Sequence, residues 1–333
     1  MKIGLIGAGR IGKLHGEILT HRVPGVQIKS VAEIYADTVE KWVQRQNITT
    51  LTTDYKKILN DPEIEAVLIC SSTDTHSQLI IESAQAGKHI FCEKPIDFDI
   101  QRIQNALSAV AKAGVKLQIG FNRRFDHNFK KVREVVESGG IGEVHIVKIT
   151  SRDPEPPPIS YVKVSGGIFL DMTIHDFDMA RYLCMSEVEE VYAQGAVLID
   201  PAFSQAGDVD TAIVTLKFSN GAMGIIDNSR QAVYGYDQRV EVFGSKGCIE
   251  VKNDFPNSAT LSTADGVVSE KPHYFFLERY QASYVEELKA FVSAVLNDTP
   301  PPVTGFDGLQ PVLIGAAALR SYKENRPVKI QAV

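Results

Sequence analysis

Residues 2–12, KIGLIGAGRIG, set a glycine-rich turn between a short apolar run and a helical pattern. Alone, GxGxxG is a weak signal. Placed directly after a strand and opening a helix, it leaves few folds open, because each glycine has its own task. Gly7 permits the tight turn, Gly9 lets backbone approach a pyrophosphate, and Gly12 lets helix and strand pack closely. Ala8, Arg10 and Ile11 complete the loop, and the helix N-terminus adds N–H groups that suit phosphate. The second strand ends in Ala32-Glu33, where the dinucleotide fingerprint expects an acid. A carboxylate there accepts both ribose hydroxyls and repels a 2′-phosphate, which favours NAD over NADP. The bland alternative, a structural glycine turn with a surface Glu, does not explain this spacing.

The same alternation continues through the first third of the chain. Strand-like runs at 2–7, 26–33, 66–72, 89–93 and 116–121 are separated by helical patterns at 10–21, 36–46, 76–86 and 99–114. Strand–helix alternation predicts a parallel sheet covered on both faces. After residue 122 the runs lengthen: 144–151, 188–199, 210–219, 222–232 and 238–253, with Asn220-Gly221 as a hairpin turn signal. Helical patterns at 127–139, 170–184, 284–297 and 309–324 accompany them, so a second α/β domain with a mixed sheet is expected. Pro154, Pro156, Pro157 and Pro158 hold the loop 153–167 extended.

Composition removes several classes of function. The 333 residues carry a net charge of -6, which gives no basic field for nucleic acid. No apolar run approaches the ~20 residues that span a bilayer, and no signal peptide precedes the first strand. Cys70, Cys92, Cys184 and Cys248 form no CxxC pair, and three of them sit in apolar runs. This reads as buried thiols in a cytoplasmic protein, without a disulfide framework or zinc site.

Two further constellations carry chemistry. FCEKPI (91–96) ends an apolar strand on Glu93-Lys94-Pro95, a costly way to finish a core element unless the lysine faces a cleft. A partly desolvated Lys beside a nicotinamide supplies charge to a developing alkoxide. In GGIFLDMTIHDFD (166–178), Asp171 and His175 are four apart and would share a helix face. An Asp beside a His fixes its tautomer, and His suits removal of a hydroxyl proton. The same spacing is common on ordinary helices. A metal at His175 is set aside, because no cysteine or second histidine stands at ligand spacing. Ser71, Ser72 and Thr73 follow the strand AVLIC, where small hydroxyls suit a cofactor crevice. His76 either contacts cofactor or simply fills a helix's first turn.

The Gly-rich turn, the strand-end Glu93-Lys94-Pro95 and the later Gly166-Gly167…Asp171…His175-Asp176…Asp178 together resemble the glucose–fructose oxidoreductase/inositol dehydrogenase/MocA (Gfo/Idh/MocA) family along nearly the whole chain. Ser151-Arg152-Asp153-Pro154, Ser165-Gly166-Gly167 and Tyr234 to Arg239 look like its inositol 2-dehydrogenase members. The resemblance implies an N-terminal Rossmann domain (1–121) with a doubly wound parallel sheet. It implies a C-terminal α/β domain (122–333) for substrate binding and oligomerisation, with an open, largely antiparallel mixed sheet. It also implies NAD as cofactor and a homodimer or homotetramer. Lys94, Asp171 and His175 would carry catalysis, and Glu93 and Asn122 would join the cofactor site. Arg123 or Arg124, with preference for Arg124, would face substrate together with Asp153 and Tyr236. Ile34-Tyr35 depart from the short polar turn that many relatives place after the acid.

The activity so implied is oxidation of a ring secondary alcohol, myo-inositol first. scyllo-Inositol, glucose and galactose stay open, since a few hydroxyl contacts separate them. A non-catalytic sugar or dinucleotide sensor is the reading from another class; retention of Lys94, Asp171 and His175 speaks against it.

Overall fold

The computed structural model describes residues 1–331. The chain divides into two compact units, Met1–Asn122 with Ala282–Gln310, and Arg123–Gln281 with the chain from Pro311 onward.

The first unit is built on six parallel strands: β1 (Lys2–Ile6), β2 (Gln27–Ala32), β3 (Thr50–Thr52), β4 (Ala66–Ile69), β5 (His89–Glu93) and β6 (Leu117–Gly120). Their order is β3-β2-β1-β4-β5-β6, so the strand order reverses between β1 and β4. Ligands of doubly wound sheets bind outside the carboxyl ends of the strands at such a switch point. Strands buried on both faces read as unbroken apolar runs, and all four residues of β4 are fully buried. β3 was not expected; its three residues TLT lie at the sheet edge and carry no apolar run. Lys94 therefore follows the fifth strand rather than the fourth. Helix Ile100–Ala113 ends as its sequence signals, capped by Asp99 accepting from the Arg102 N–H and stopped by Gly114 at φ 68°. Helix Gln281–Leu296 sets Phe291 edge-on to Phe91, with ring centroids 5.9 Å apart.

The second unit holds a seven-stranded sheet of β7 (Val144–Arg152), β8 (Val188–Ala196), β9 (Thr211–Phe218), β10 (Met223–Ser229), β11 (Asp237–Gly244), β12 (Gly247–Val251) and, beyond the small hairpin β13 (Thr260–Thr263) and β14 (Gly266–Ser269), β15 (Val328–Lys329). The order is β12-β11-β7-β10-β9-β8-β15. β7 and β10 pair in parallel and the other neighbours antiparallel. Alternation sorts the two faces: Ala212, Val214, Leu216 and Phe218 of β9 and Gly224, Ile226 and Asn228 of β10 turn inward, while Ile213, Met223 and Ile225 are exposed. Helix Thr173–Cys184 packs against β7 and β10 and is buried along most of its length. Three local expectations change. The run 238–253 is a hairpin, turned at Ser245-Lys246. The pattern 170–184 is two helices, Gly167–Asp171 and Thr173–Cys184, parted at Met172. Ile159–Val162 form one helical turn inside the proline-rich loop.

Helix His127–Glu137 is anchored by Asp126, whose carboxylate accepts from the Asn128 and Phe129 N–H groups at 3.1 and 3.2 Å. The same carboxylate accepts from the buried Arg279 guanidinium, at 3.1 Å for Nη2. Asp254, 3.1 Å from Arg279 Nη1, would remain as a partner of that charge. Asp126→Ala, which removes the cap and the charged hydrogen bonds together, is expected to lower unfolding free energy by about 2–4 kcal/mol in urea denaturation, and Asp126→Asn, which keeps a cap acceptor, by less.

Candidate active site

The glycine turn behaves as its three positions require. Gly7 has φ 88°, and a Cβ there would lie 2.6 Å from the Ser71 nitrogen. A Cβ on Gly12 would lie 2.1 Å from the Gly7 carbonyl oxygen, so only glycine permits this helix–strand distance. A Cβ on Gly9 would meet nothing within 4 Å: its space is open to a ligand. Gly9 precedes helix Arg10–Arg22 and no side chain caps that helix, which leaves its first N–H groups for phosphate oxygens. Ala8 is buried, Arg10 exposed and Ile11 half-buried. Glu33 stands at the end of β2, and its carboxylate accepts the Ala8 N–H at 2.8 Å and the Tyr35 N–H at 3.1 Å. Ile34 and Tyr35 are both exposed beside it.

The loops after β4 and β5 lie beside this turn. Ser71 Oγ and Thr75 Oγ1 share a hydrogen bond of 2.6 Å, Ser72 is exposed and Thr73 opens helix Thr73–Gln85. His76 is buried, with Nδ1 2.8 Å from the Pro95 carbonyl and Nε2 3.0 Å from that of Ser71. Its ring thus ties the two loops together. Lys94, half-buried, directly follows β5, and its peptide to Pro95 is cis. Glu93 packs its carboxylate on Gly120 and bonds His15. Asn122 is buried, and its Nδ2 has no protein acceptor, a donor suited to a carboxamide or similar carbonyl. Open space at Gly9, uncapped N–H groups and the Asn122 donor fit a dinucleotide.

In the second unit Asp171, Asp153, Arg123 and Tyr236 form a polar cluster at the carboxyl ends of β7 and β10. Asp171 accepts from Tyr161 Oη at 2.8 Å and from Arg230 Nη1 at 3.1 Å, and Asp153 lies 3.9 Å from that same Nη1. His175 is half-buried in the first turn of the next helix, so the expected single helix face becomes two successive turns around Met172. Burial pushes the Asp153 carboxyl up to about 6, against the pull of Arg230 and with added repulsion from Asp171. Tyr236 is buried, and its hydroxyl is raised well above the usual range by burial. Arg123 meets Tyr236 Oη at 3.3 Å and Asp176 at 2.6 Å, and Asn228 Nδ2 holds the other oxygen of Asp176 at 2.9 Å. Arg124 points its guanidinium at Asp178, with Nε 2.9 Å from one carboxylate oxygen and Nη2 2.6 Å from the other. Of the two arginines, Arg123 shares the Tyr236 network and Arg124 forms a bidentate pair.

Arg230 was missed by sequence reasoning. It is buried, and after its contact with Asp171 its Nε and Nη2 still lack protein acceptors. The signal was present: inward-facing positions 224, 226 and 228 of β10 extend in steps of two to 230. Tyr161, the other partner of Asp171, lies in a loop without periodicity and gave none.

Residues 1–121 match the GFO/IDH/MocA oxidoreductase family with its NAD-binding Rossmann fold, and residues 129–250 match the GFO/IDH/MocA C-terminal domain. The chain belongs to this family. It is an NAD-dependent oxidoreductase. It is 55% identical over 328 residues to the uncharacterized oxidoreductase YrbE of Bacillus subtilis, covering 98% of this chain and 96% of that one. It is 50% identical to the myo-inositol 2-dehydrogenase of Thermotoga maritima, over 100% of this chain and 99% of that one. Among solved structures, the scyllo-inositol dehydrogenase of Lactobacillus casei with bound NAD(H) and scyllo-inositol matches with a TM-score of 0.94 at 29% identity, covering 100% and 99% of the two chains.

Gly9→Ala is expected to fold with an unchanged melting temperature, since its Cβ enters open space, but to weaken NAD binding at least about tenfold in calorimetric titration, because backbone contact with the pyrophosphate is lost.

Proposed function

We propose that this protein oxidises a ring secondary alcohol of a cyclic polyol to the ketone with NAD, and that its substrate is myo-inositol, giving 2-keto-myo-inositol. The observation that carries this reading is the density of polar and charged hydrogen-bonding groups around Asp171: the buried Arg230 with two donors to spare, the half-buried Asp153, the exposed Tyr161 and the buried Arg123–Tyr236 network. A polyol ring offers a donor and acceptor at every carbon and satisfies such a lining, whereas an apolar substrate would leave it unpaired. The 50% identity to a myo-inositol 2-dehydrogenase over the full chain supports the same substrate class.

In the proposed reaction His175 accepts the hydroxyl proton, and Asp171, held by Tyr161 and Arg230, steadies the imidazolium that forms. Lys94 hydrogen-bonds the reacting oxygen and stabilises its developing charge. Bound NAD supplies the hydride acceptor, held by the Gly7–Gly12 turn, Glu33, the Ser71–Thr73 loop and Asn122. Asp153 and Tyr236 bind ring hydroxyls, and the arginine contribution comes from the Arg123 network. The exposed apolar side chains Ile213, Met223, Ile225 and Phe243 on the outer face of the second sheet support a homodimer or homotetramer that covers them. Among the described residues no helix is long and apolar enough to cross a membrane, and the four free cysteines suit the cytoplasm we assign to it.

Initial rates of NADH formation with myo-inositol, scyllo-inositol, D-glucose and D-galactose test the reading. Preference for myo-inositol is expected; activity on another polyol alone overturns the substrate, and NAD binding without turnover on any returns the sensor reading. Lys94→Ala and His175→Gln are each expected to lower kcat about 10²–10⁴-fold, and a Lys94→Ala enzyme of near-normal kcat would remove Lys94 from the mechanism. Asp153 loses its acceptor charge when protonated, so KM for the polyol is expected to rise as pH falls through about 6. Asp153→Asn should show a high KM without that pH dependence.

A further inference from the structure

Glu287, on helix Gln281–Leu296, is fully buried, yet neither of its carboxyl oxygens has a hydrogen-bond partner in the protein. It faces Glu93 and His15: one nitrogen of the imidazole and one oxygen of each carboxyl group all lie within 4.8 Å of one another. Glu93 is well provided for. Its Oε1 stands 2.6 Å from His15 Nε2 and its Oε2 3.3 Å from the Lys94 N–H. Its carboxyl group lies against Gly120, where even a Cβ would come within 3.1 Å of it. The rings of Phe91 and Tyr284 stand edge-on to His15, at 5.2 and 5.6 Å, and wall the cluster. Cys70, just past the neighbouring strand, and Cys92 are thiols raised by burial, and neither brings a positive charge.

Two carboxylates this close in a buried place do not both ionise. Glu93 has two donors and Glu287 has none, so the proton belongs on Glu287, whose carboxyl is driven up by burial first and by Glu93 second. We propose that Glu287 is carried as the neutral acid and is a positioning residue for Lys94. By holding the proton it leaves Glu93 as the single carboxylate of the cluster, fixed between His15 and the Lys94 backbone. The proposal rests on the catalytic role given to Lys94 above.

Glu287→Gln copies the neutral acid, and Glu287→Leu removes the polar group. The Gln variant is expected to keep wild-type kcat and the Leu variant to lose about ten- to a hundredfold in kcat through misplacement of Lys94, with KM for NAD unchanged in both. Difference infrared spectra of wild type against Glu287→Gln, at neutral pH with NAD bound, should show one protonated-carboxyl C=O band. Absence of that band overturns the proposal, as does equal loss in the Gln and Leu variants, or a stoichiometric metal ion in the purified enzyme that disappears with Glu287→Gln. The infrared band does not depend on Lys94. A band present beside normal turnover in Lys94→Ala therefore removes the positioning role through the mechanism, whereas a missing band beside a crippled Lys94→Ala removes it through Glu287.

Discussion

Helix Arg10–Arg22 lies as close to β1 as it does because position 12 has no Cβ, and the Gly7 carbonyl occupies the space one would need. Much of the cofactor end of the first unit follows from this contact. It aims the first N–H groups of the helix outward over the switch point between β1 and β4. It also sets the height of the Ala8 N–H, which the Glu33 carboxylate then engages from the end of β2. His76 performs the corresponding task one loop further on, clamping the carbonyls of Ser71 and Pro95. The cofactor loops are therefore fixed mainly by backbone contacts and buried side chains, and long surface side chains contribute little to their shape.

The second unit solves a different problem. Its covered sheet face ends in charged and polar groups rather than in more hydrocarbon: Arg123, Asp176, Asn228 and Arg230 are all buried. Burial is the largest influence on Asp176 and raises its carboxyl, while Arg123 and Asn228 pull it back. Such a network costs stability unless each member is satisfied, so its survival points to use by a ligand. Arg230 keeps Nε and Nη2 without protein acceptors, and the oxygens of the proposed polyol would complete it there.

The first sheet was legible because its strands are unbroken apolar runs punctuated by glycine, and the second because inward and outward residues alternate. What the sequence hid was mostly non-local. Residues 284–297 announce a helix, but nothing in them says that they pack with the first sheet, or that Glu287 faces a strand nearly two hundred positions earlier. β3 was lost because an edge strand of three residues needs no hydrophobic pattern. The break at Met172 left no glycine or proline to mark it. The candidate site divided along the same line. Motif residues such as Lys94, Asp171 and His175 stood out by spacing, whereas Tyr161, a direct partner of Asp171, comes from an aperiodic loop. Arg123 and Arg124 were indistinguishable as neighbours in sequence; their partners, Asp176 and Asp178, separate them.

Glu33 has two employments. In the reading proposed here its charge would disfavour a 2′-phosphate, and its Oε2 and Oε1 hold the N–H groups of Ala8 and Tyr35. An acid that only read the ribose could be exchanged for a small neutral residue to admit NADP. Here the exchange would also release the glycine turn from the end of β2. If Glu33 reads the ribose as proposed, cofactor preference and loop shape meet in one side chain, and a lineage moving toward NADP would have to restore the lost restraint from somewhere else in the same step.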